Sequence, residues 1–224
     1  MSLPSPEYVP ISQLPSCCGG AAPCPYHEEV ITLRQQVVTD SLTGLYNSGY
    51  FRKALAQELE RTERTSLPIA LMMVDLDFFK KINDSYGHEV GNDVLTYVAK
   101  LIVKGTRALD IQCRYGGEEF AVILPATERF LAIQVAERLA KSIENSTVYS
   151  HGHELKITAS IGLAFHKVGE LASVTTLVAE ADKYLYQAKN NGRNQVCFEA
   201  ESEIETTVSS EEKDELRNIF GWND

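Results

Sequence analysis

Two glycines and two glutamates stand side by side in the segment RYGGEEF, residues 114–120, immediately before the strand-like run AVILP. The carboxylates of Glu118 and Glu119 are hard oxygen ligands of the kind that Mg²⁺ prefers. Gly116 and Gly117 have no side chain, so the backbone there lets a ligand approach closely. A Gly-Gly turn flanked by acids is also the usual composition of a solvated hairpin tip, so the segment alone leaves both interpretations open.

A second acidic pair ends the apolar run LPIALMMVDLD, which predicts a buried strand. Asp75 and Asp77 alternate at the end of this strand and therefore share one face. Lys80 and Asn83 follow in the next turn. If the strand lies beside the hairpin, Asp75 and Glu118 converge as metal ligands able to grip the phosphates of a nucleotide. Taken alone, an Asp-x-Asp pair at a strand end is more commonly a helix cap or a surface charge.

The elements that must position these side chains alternate along the chain between helical and strand periodicity. The predicted helices are 48–66, 87–110, 127–145 and 173–192, and the predicted strands are 67–77, 155–166 and 195–199, with a hairpin over 110–125. This order predicts an α/β (α+β) sandwich, in which helices flank a mixed, largely antiparallel central sheet.

Composition restricts the class of function. The 224 residues carry a formal net charge of -10, which argues against a general nucleic-acid or anionic-membrane binder because either needs a basic face. No apolar run approaches the roughly 20 residues that span a bilayer, and MSLPSPEYVP lacks the features of a signal peptide. We therefore expect a cytoplasmic protein without a membrane segment. Its five cysteines, odd in number and unevenly spread, predict reduced thiols.

The composition of the two ends of the chain predicts that they are tails. Residues 1–27 are rich in Pro, Ser, Gly and Cys and predict either a disordered tail with incidental thiols or a small metal or redox site. The soft metal ligands in this tail are Cys17, Cys18, Cys24 and His27. Apolar spacing over residues 28–38 predicts a short linker helix that could pair with its copy. Residues 200–224 read as an acidic tail.

Five motifs together closely resemble the GGDEF family of diguanylate cyclases, here with a GGEEF variant of the family's motif. They are DSLTGLYN, VDLDFFKKINDSYGHEVGND, RALDIQCRYGGEEF, ITASIGLAF and ADKYLYQAKNNGRN. The resemblance covers about residues 38 to 199 and implies a catalytic domain over 39–199 with a fold like that of nucleotidyl cyclases. The implied activity condenses two GTP molecules into cyclic di-GMP and releases pyrophosphate, in a homodimer whose subunits each present one GTP.

The resemblance assigns the metal ligands and the acid-base groups residue by residue. Asp75, Glu118 and the carbonyl of Leu76 would bind two Mg²⁺ ions, with Mn²⁺ as an alternative. Glu118 or Glu119 would help to remove the proton of the attacking 3′-hydroxyl. Lys80 would place a cation near the phosphates, where in-line attack builds negative charge.

The resemblance also assigns residues to substrate binding. Gly116 and Gly117 would line the path of the phosphates, and Asn83 would contact the guanine. Lys189 and Arg193 would lie near the phosphates, although two cations one turn apart are ordinarily a solvated helix end. Each of these positions matches the family's motif in order and approximate spacing.

One position departs from the family's pattern. Where the family usually has an acidic residue after the glycine of GHEVG, this chain has Asn92. A carboxylate accepts from both the N1 hydrogen and the exocyclic amine of guanine, whereas an amide has one acceptor oxygen and a donor. The exchange predicts a cyclase with relaxed purine selectivity, unless Asn83 and the shape of the pocket already select guanine.

A further motif, RALD, matches the inhibitory RxxD site of the family. Arg107 and Asp110 would clasp the product away from the catalytic centre, and Arg138 lies where the family often places a helper arginine. Arginine suits the task because its planar fork binds phosphate or the Hoogsteen edge of guanine through two hydrogen bonds. The alternative is an exposed Arg–Asp ion pair of little consequence.

A second class of function competes with the enzyme. The chain could be a non-catalytic receptor that binds GTP or cyclic di-GMP and signals through its tails. The intact set of Asp75, Glu118, Glu119 and Lys80 favours the enzyme, because a degenerate receptor is expected to have lost some of these side chains.

Overall fold

The computed structural model describes residues 38–166, 169 and 173–200. The helices in these ranges are α1 Ser48–Thr65, α2 Phe79–Tyr86, α3 His88–Gly105, α4 Arg129–Glu144 and α5 Val174–Asn190. The strands are β1 Tyr46–Asn47, β2 Ile69–Leu76, β3 Ile111–Arg114, β4 Glu119–Pro125, β5 Val148–Ser150, β6 His153–Leu155, β7 Ala159–His166 and β8 Val196–Cys197.

The central sheet has the strand order β1-β3-β4-β2-β7-β8. Its central strand β2 pairs antiparallel with β4 on one side and with β7 on the other, and β4 forms the predicted hairpin with β3. The short strands β1 and β8 add to β3 and β7 in parallel. The prediction of a mixed, largely antiparallel sheet flanked by helices is therefore confirmed.

The apolar run of β2 is explained by burial on both faces of the sheet. All eight residues of the strand are buried, and alternate residues point to opposite faces. One face packs against α3 and α4, and the other packs against α1 and α5. A strand that is covered on both sides reads as a continuous hydrophobic run, which is why the first acid of β2, Asp75, comes only at its seventh residue.

Three local predictions were wrong. The residues read as a turn after β2 form helix α2, in which Phe79 is the one buried residue, so the segment has little apolar periodicity. The helix predicted over 87–110 ends at Gly105, because Thr106 is extended and its hydroxyl donates to the carbonyl of Ile102. The strand predicted over 155–166 is divided between β6 and β7, since β6 pairs with β5 in a separate hairpin.

The predicted tails lie almost wholly outside the described residues. This applies to residues 1–27 with their cysteines and histidine, to all of the predicted linker helix except its last residue, and to all of the acidic tail except its first residue. Within the described ranges, no helix has the length and apolarity that crossing a membrane requires.

Candidate active site

The two predicted acidic pairs meet where β2 ends and β4 begins. Asp75 lies directly opposite Glu119 across the antiparallel pair. One residue further on, the backbone N–H of Leu76 donates to the carbonyl of Glu118 at 3.4 Å. The hairpin thus places its glutamates beside the end of the buried strand, as the sequence predicts.

A lysine from helix α5 balances the buried charge of Asp75. The ammonium of Lys189 lies 2.7 Å from Oδ2 of Asp75, whose side chain is 8% exposed. Burial raises the pKa of Asp75 above its ordinary value, and the hydrogen bond and charge of Lys189 oppose that rise. The negative charges of Glu118 and Asp77 raise the same pKa further. The site therefore concentrates acids around one cation.

Glu119 lies in the same electrostatic environment. Burial raises its pKa first, the negative charge of Asp75 adds to the rise, and the charge of Lys189 opposes it. Asp182 and Glu118 also raise the pKa of Glu119. The sequence interpretation missed Asp182, although its spacing of seven residues from Lys189 on α5 places both side chains on one face of the helix.

Asp77, the second acid at the strand end, accepts hydrogen bonds at both of its carboxylate oxygens. Its Oδ1 accepts from the hydroxyl of Ser160 at 2.7 Å. Its Oδ2 accepts from the hydroxyl of Thr158 at 2.7 Å and from the backbone N–H of Asn194 at 3.0 Å. The side chain thus ties the end of β2 to the start of β7 and to the loop after α5.

The turn of the β3–β4 hairpin is held by Arg114, which the sequence interpretation also missed. Its guanidinium donates to the carbonyl of Gly117 at 2.8 Å and forms an ion pair with Asp40 at 3.2 Å. A Cβ added at Gly116 would lie 2.5 Å from Oε2 of Glu119, whereas one at Gly117 would meet nothing within 4 Å. Gly116 therefore makes room for the carboxylate of Glu119, and Gly117 faces open space.

Helices α2 and α3 bring the predicted base-contacting residues together. The backbone of Gly91 lies so close to Oδ1 of Asn83 that a Cβ there would collide with it. Asn92 follows directly and is exposed. Lys80 is also exposed, in the first turn of α2. Asn83 and the start of α3 thus form one surface, because position 91 has no side chain.

Arg193 lies in the loop after α5 in a left-handed backbone conformation, with φ 67°. Its guanidinium lies 4.6 Å from the ring centre of Phe78, a cation–π contact, and the ammonium of Lys81 lies 4.5 Å from the same ring. Phe78, which precedes α2, is itself left-handed, with φ 56°. The aromatic ring is thus a platform that holds Arg193 beside the start of α2.

Two of the three predicted inhibitory residues, Arg107 and Asp110, lie in the loop between α3 and β3. Asp110 is 5% exposed, and its Oδ2 accepts from the backbone N–H of Arg107 at 2.7 Å. Its Oδ1 has no hydrogen-bond partner among the described residues. Burial raises the pKa of Asp110, and the Arg107 backbone and charge oppose the rise. Arg138, on α4, donates to the carbonyl of Gly105 at 2.8 Å.

The acids at the strand ends suit a hard divalent cation. Asp75 and Glu118 supply carboxylate oxygens, and the neighbouring Leu76 supplies a backbone carbonyl, which is the donor chemistry of Mg²⁺. The Lys189 ammonium at 2.7 Å shows that the buried Asp75 carboxylate already binds a positive charge. Among the described residues no three His, Cys, Asp or Glu side chains are arranged to hold a metal, but this donor set needs only two.

Comparison with known proteins agrees with this geometry. Residues 37–195 match the family model described as diguanylate cyclase, GGDEF domain. The chain is 42% identical over 165 residues to the response regulator PleD of Caulobacter vibrioides, covering 73% of this chain and 36% of PleD. It is 41% identical over 169 residues to diguanylate cyclase A of Treponema denticola, covering 74% of this chain and 45% of that protein. The chain therefore belongs to the GGDEF family of diguanylate cyclases.

The fold is also that of solved GGDEF domains. The coiled coil and GGDEF domain of DgcB from Caulobacter crescentus, in complex with c-di-GMP, is similar with a TM-score of 0.73 and 31% identity. The similarity covers 77% of this chain and 91% of DgcB in that structure. The chain spans less than half the length of PleD and of diguanylate cyclase A.

Proposed function

We propose that this chain is a diguanylate cyclase that condenses two GTP molecules into cyclic di-GMP and releases pyrophosphate. The observation that carries the proposal is the meeting of Asp75 and the Glu118–Glu119 pair at adjoining strand ends, with the Lys189 cation 2.7 Å from Asp75. The names of the relatives support it. Because GTP is the substrate, we place the reaction in the cytoplasm.

The acids at the strand ends would hold two Mg²⁺ or Mn²⁺ ions through Asp75, Glu118 and the carbonyl of Leu76. Bound there, the ions would stabilise the charge that develops on the α-phosphate during in-line attack. Gly117 faces open space and leaves room for the phosphates at the turn. The role of this chain is to hold the acids rigidly, since Asp75 lies in the central strand and Arg114 braces the turn.

Three cations would bind the phosphate chain. Lys80 is exposed at the start of α2, Lys189 ends α5, and Arg193 is held against Phe78. Their charges would bind the triphosphate and stabilise the leaving pyrophosphate.

A glutamate would remove the proton of the attacking 3′-hydroxyl. Glu119 fits this role because burial raises its pKa, which makes it a better base once ionised. Because its pKa is raised, Glu119 becomes protonated at a higher pH than an ordinary glutamate does when the solution is acidified. The rate is therefore expected to fall on the acid side as Glu119 takes up its proton. Glu118 is the other candidate base.

The base would be read by Asn83 and Asn92 on the adjoining ends of α2 and α3. The exposed amide of Asn92 offers one acceptor and one donor, which adenine can also meet. This favours, as a second candidate activity, a cyclase with relaxed purine selectivity.

The reaction requires two copies of the domain over residues 39–199, because one site holds one GTP. Each subunit of a homodimer would present its nucleotide to the other. The linker helix predicted from the sequence over 28–38 would contribute to this pairing, and residues 1–27 and 200–224 would be appended tails.

The second cluster would bind the product. The buried Oδ1 of Asp110 without a partner is an acceptor that awaits a donor, and the N–H groups of guanine supply one. Arg107 and Arg138 would add guanidinium donors for phosphate or guanine. The DgcB structure was solved in complex with c-di-GMP, which supports a product site in this fold.

Product inhibition can be tested at Arg107. Cyclic di-GMP is expected to inhibit the wild-type chain, and Arg107→Ala is expected to relieve this inhibition. The variant is expected to keep its activity, because Arg107 is not one of the proposed catalytic residues. The measurement is the initial rate at increasing product concentration. Inhibition of equal strength in both proteins, or none in the wild type, contradicts this site.

The proposed function itself is tested by incubating the chain with Mg²⁺ and GTP and identifying the products by mass spectrometry. The expected products are cyclic di-GMP and pyrophosphate. Binding of GTP or cyclic di-GMP without turnover would instead support the non-catalytic receptor.

A further inference from the structure

Lys189 is the counter-ion of a buried carboxylate. Its ammonium lies 2.7 Å from Oδ2 of Asp75, whose side chain is only 8% exposed. An unpaired buried charge is strongly unfavourable, so the ion pair stabilises the ionised form of Asp75. Lys189 itself is 31% exposed and lies in the last turn of α5, next to the loop that carries Arg193.

The same ammonium has two competing uses. In the proposed reaction it binds phosphate, whereas in the nucleotide-free chain it occupies a position beside Asp75. A divalent cation that binds Asp75 would meet the ammonium at close range, and like charges repel more strongly beside a buried carboxylate than in bulk water. The metal and Lys189 therefore compete for one carboxylate.

We propose that Lys189 makes metal binding at Asp75 depend on the nucleotide. Without nucleotide the ammonium holds Asp75 and weakens the binding of a divalent cation. A bound triphosphate attracts the ammonium away from Asp75, and the carboxylate becomes available to the metal. The inference rests on the proposed function, because it assigns the triphosphate to this site.

The flexibility and surroundings of the lysine are consistent with this exchange. A lysine ammonium is a point charge on a flexible stem with rotatable donors, so it can move between partners. The charge of Lys189 also opposes the raised pKa values of Glu119 and Asp182. The ammonium thus interacts electrostatically with acids other than Asp75. By thermodynamic linkage, metal and nucleotide then strengthen each other's binding.

The test is a titration of the nucleotide-free full chain with Mn²⁺ alone at pH 8, following free Mn²⁺ by electron paramagnetic resonance. Lys189→Met removes the ammonium and is expected to bind Mn²⁺ about tenfold more tightly than the wild type, within the usual range of coupling between sites. Lys189→Gln, which keeps a hydrogen-bond donor for Asp75, is expected to show the same direction and serves if the Met variant fails to fold.

Two matched variants serve as controls. Lys189→Arg keeps the positive charge and is expected to bind Mn²⁺ as weakly as the wild type. Arg193→Met removes a neighbouring cation that contacts Phe78 rather than Asp75, so the affinity of the nucleotide-free chain for Mn²⁺ is expected to stay unchanged. If Arg193→Met tightened Mn²⁺ binding as much as Lys189→Met, the effect would be general electrostatics and the proposal would be wrong.

The nucleotide arm uses 3′-deoxyGTP, which lacks the attacking hydroxyl and so cannot react. The gain in Mn²⁺ affinity on adding 3′-deoxyGTP is expected to be larger in the wild type than in Lys189→Gln. Equal gains, or no tightening of Mn²⁺ binding in both neutral variants, would overturn the proposal. A wild type that makes no cyclic di-GMP contradicts the proposed function separately, since the titration of Mn²⁺ alone requires no turnover.

Discussion

Three buried aspartates of this domain show how surroundings decide the role of one residue type. Asp75 pairs with the Lys189 ammonium, Asp77 accepts three hydrogen bonds from neighbouring segments, and Asp110 keeps one oxygen without a partner among the described residues. A carboxylate that already binds a cation is suited to a metal site. A carboxylate whose oxygens all accept hydrogen bonds is suited to holding segments of the fold together, and a carboxylate with an oxygen that has no donor is suited to binding a ligand.

The two glycines of the hairpin turn are expected to respond differently to a methyl group. In Gly116→Ala the new Cβ would lie 2.5 Å from Oε2 of Glu119 and must displace that carboxylate. We expect kcat to fall by about tenfold or more, since misplacement of a reacting group by about 1 Å can cost on the order of 10²-fold in rate. Gly117→Ala meets open space within the protein, so its main effect should be a higher KM for GTP. Steady-state kinetics separates the two, and an unchanged kcat in Gly116→Ala would contradict the assigned role of Glu119.

Purine selectivity is expected to depend on Asn92. Asn92→Asp restores two acceptors for the donors of guanine and should tighten GTP binding by about 1–3 kcal/mol. The wild type should incorporate some ATP into a mixed cyclic dinucleotide, and the variant should suppress it. The measurement is product analysis with equal GTP and ATP. Cyclic di-GMP as the sole product of both proteins, at similar Michaelis constants, would show that Asn83 and the pocket already select guanine.

At the scale of elements, the position of Lys189 depends on close packing of α5 against β7. A Cβ at Gly162 in β7 would collide with the backbone of α5 at Ala181 and Leu185. Gly162→Ala is therefore expected to destabilise the domain by about 1–3 kcal/mol, the usual range for overpacking. Urea unfolding measures this, with Gly105→Ala as the control, because a Cβ there meets Leu139 at an ordinary 3.7 Å. Equal stabilities of the two variants would contradict the close packing.

The elements that sequence reasoning missed share a physical cause. Helix α2 buries only Phe79, and the β5–β6 hairpin has three residues in each strand, so neither has enough apolar periodicity to be recognised. Strand β2 and the β3–β4 hairpin were predicted because a doubly covered strand is apolar throughout and a Gly-Gly turn is a strong local pattern. The pairing of Asp75 with Lys189, far apart in the chain, has no local pattern at all.

At the scale of the whole molecule, one short strand separates the two candidate sites. Strand β3 begins directly after Asp110, a residue of the proposed product site. It ends at Arg114, which contacts the glycine turn of the proposed active site. Its four residues span about 13 Å. The resemblance to the family assigned residues to both candidate sites, because its motifs are recognised along the chain. The partner-free oxygen of Asp110 and the ion pair of Arg114 with Asp40 depend on tertiary contacts, which no motif shows.

The proposed roles of Asp75 and Glu118 are tested by product formation in Glu118→Gln, compared with the wild type in the presence of Mg²⁺ and GTP. The substitution removes the charge of a proposed metal ligand at a turn while it keeps the shape of the side chain, so the thermal unfolding temperature is expected to stay close to that of the wild type. The wild type is expected to make cyclic di-GMP, whereas Glu118→Gln, although folded, is expected to make none detectable by mass spectrometry. Cyclic di-GMP synthesis by the variant at the wild-type rate would contradict the assignment of the catalytic metals to Asp75 and Glu118.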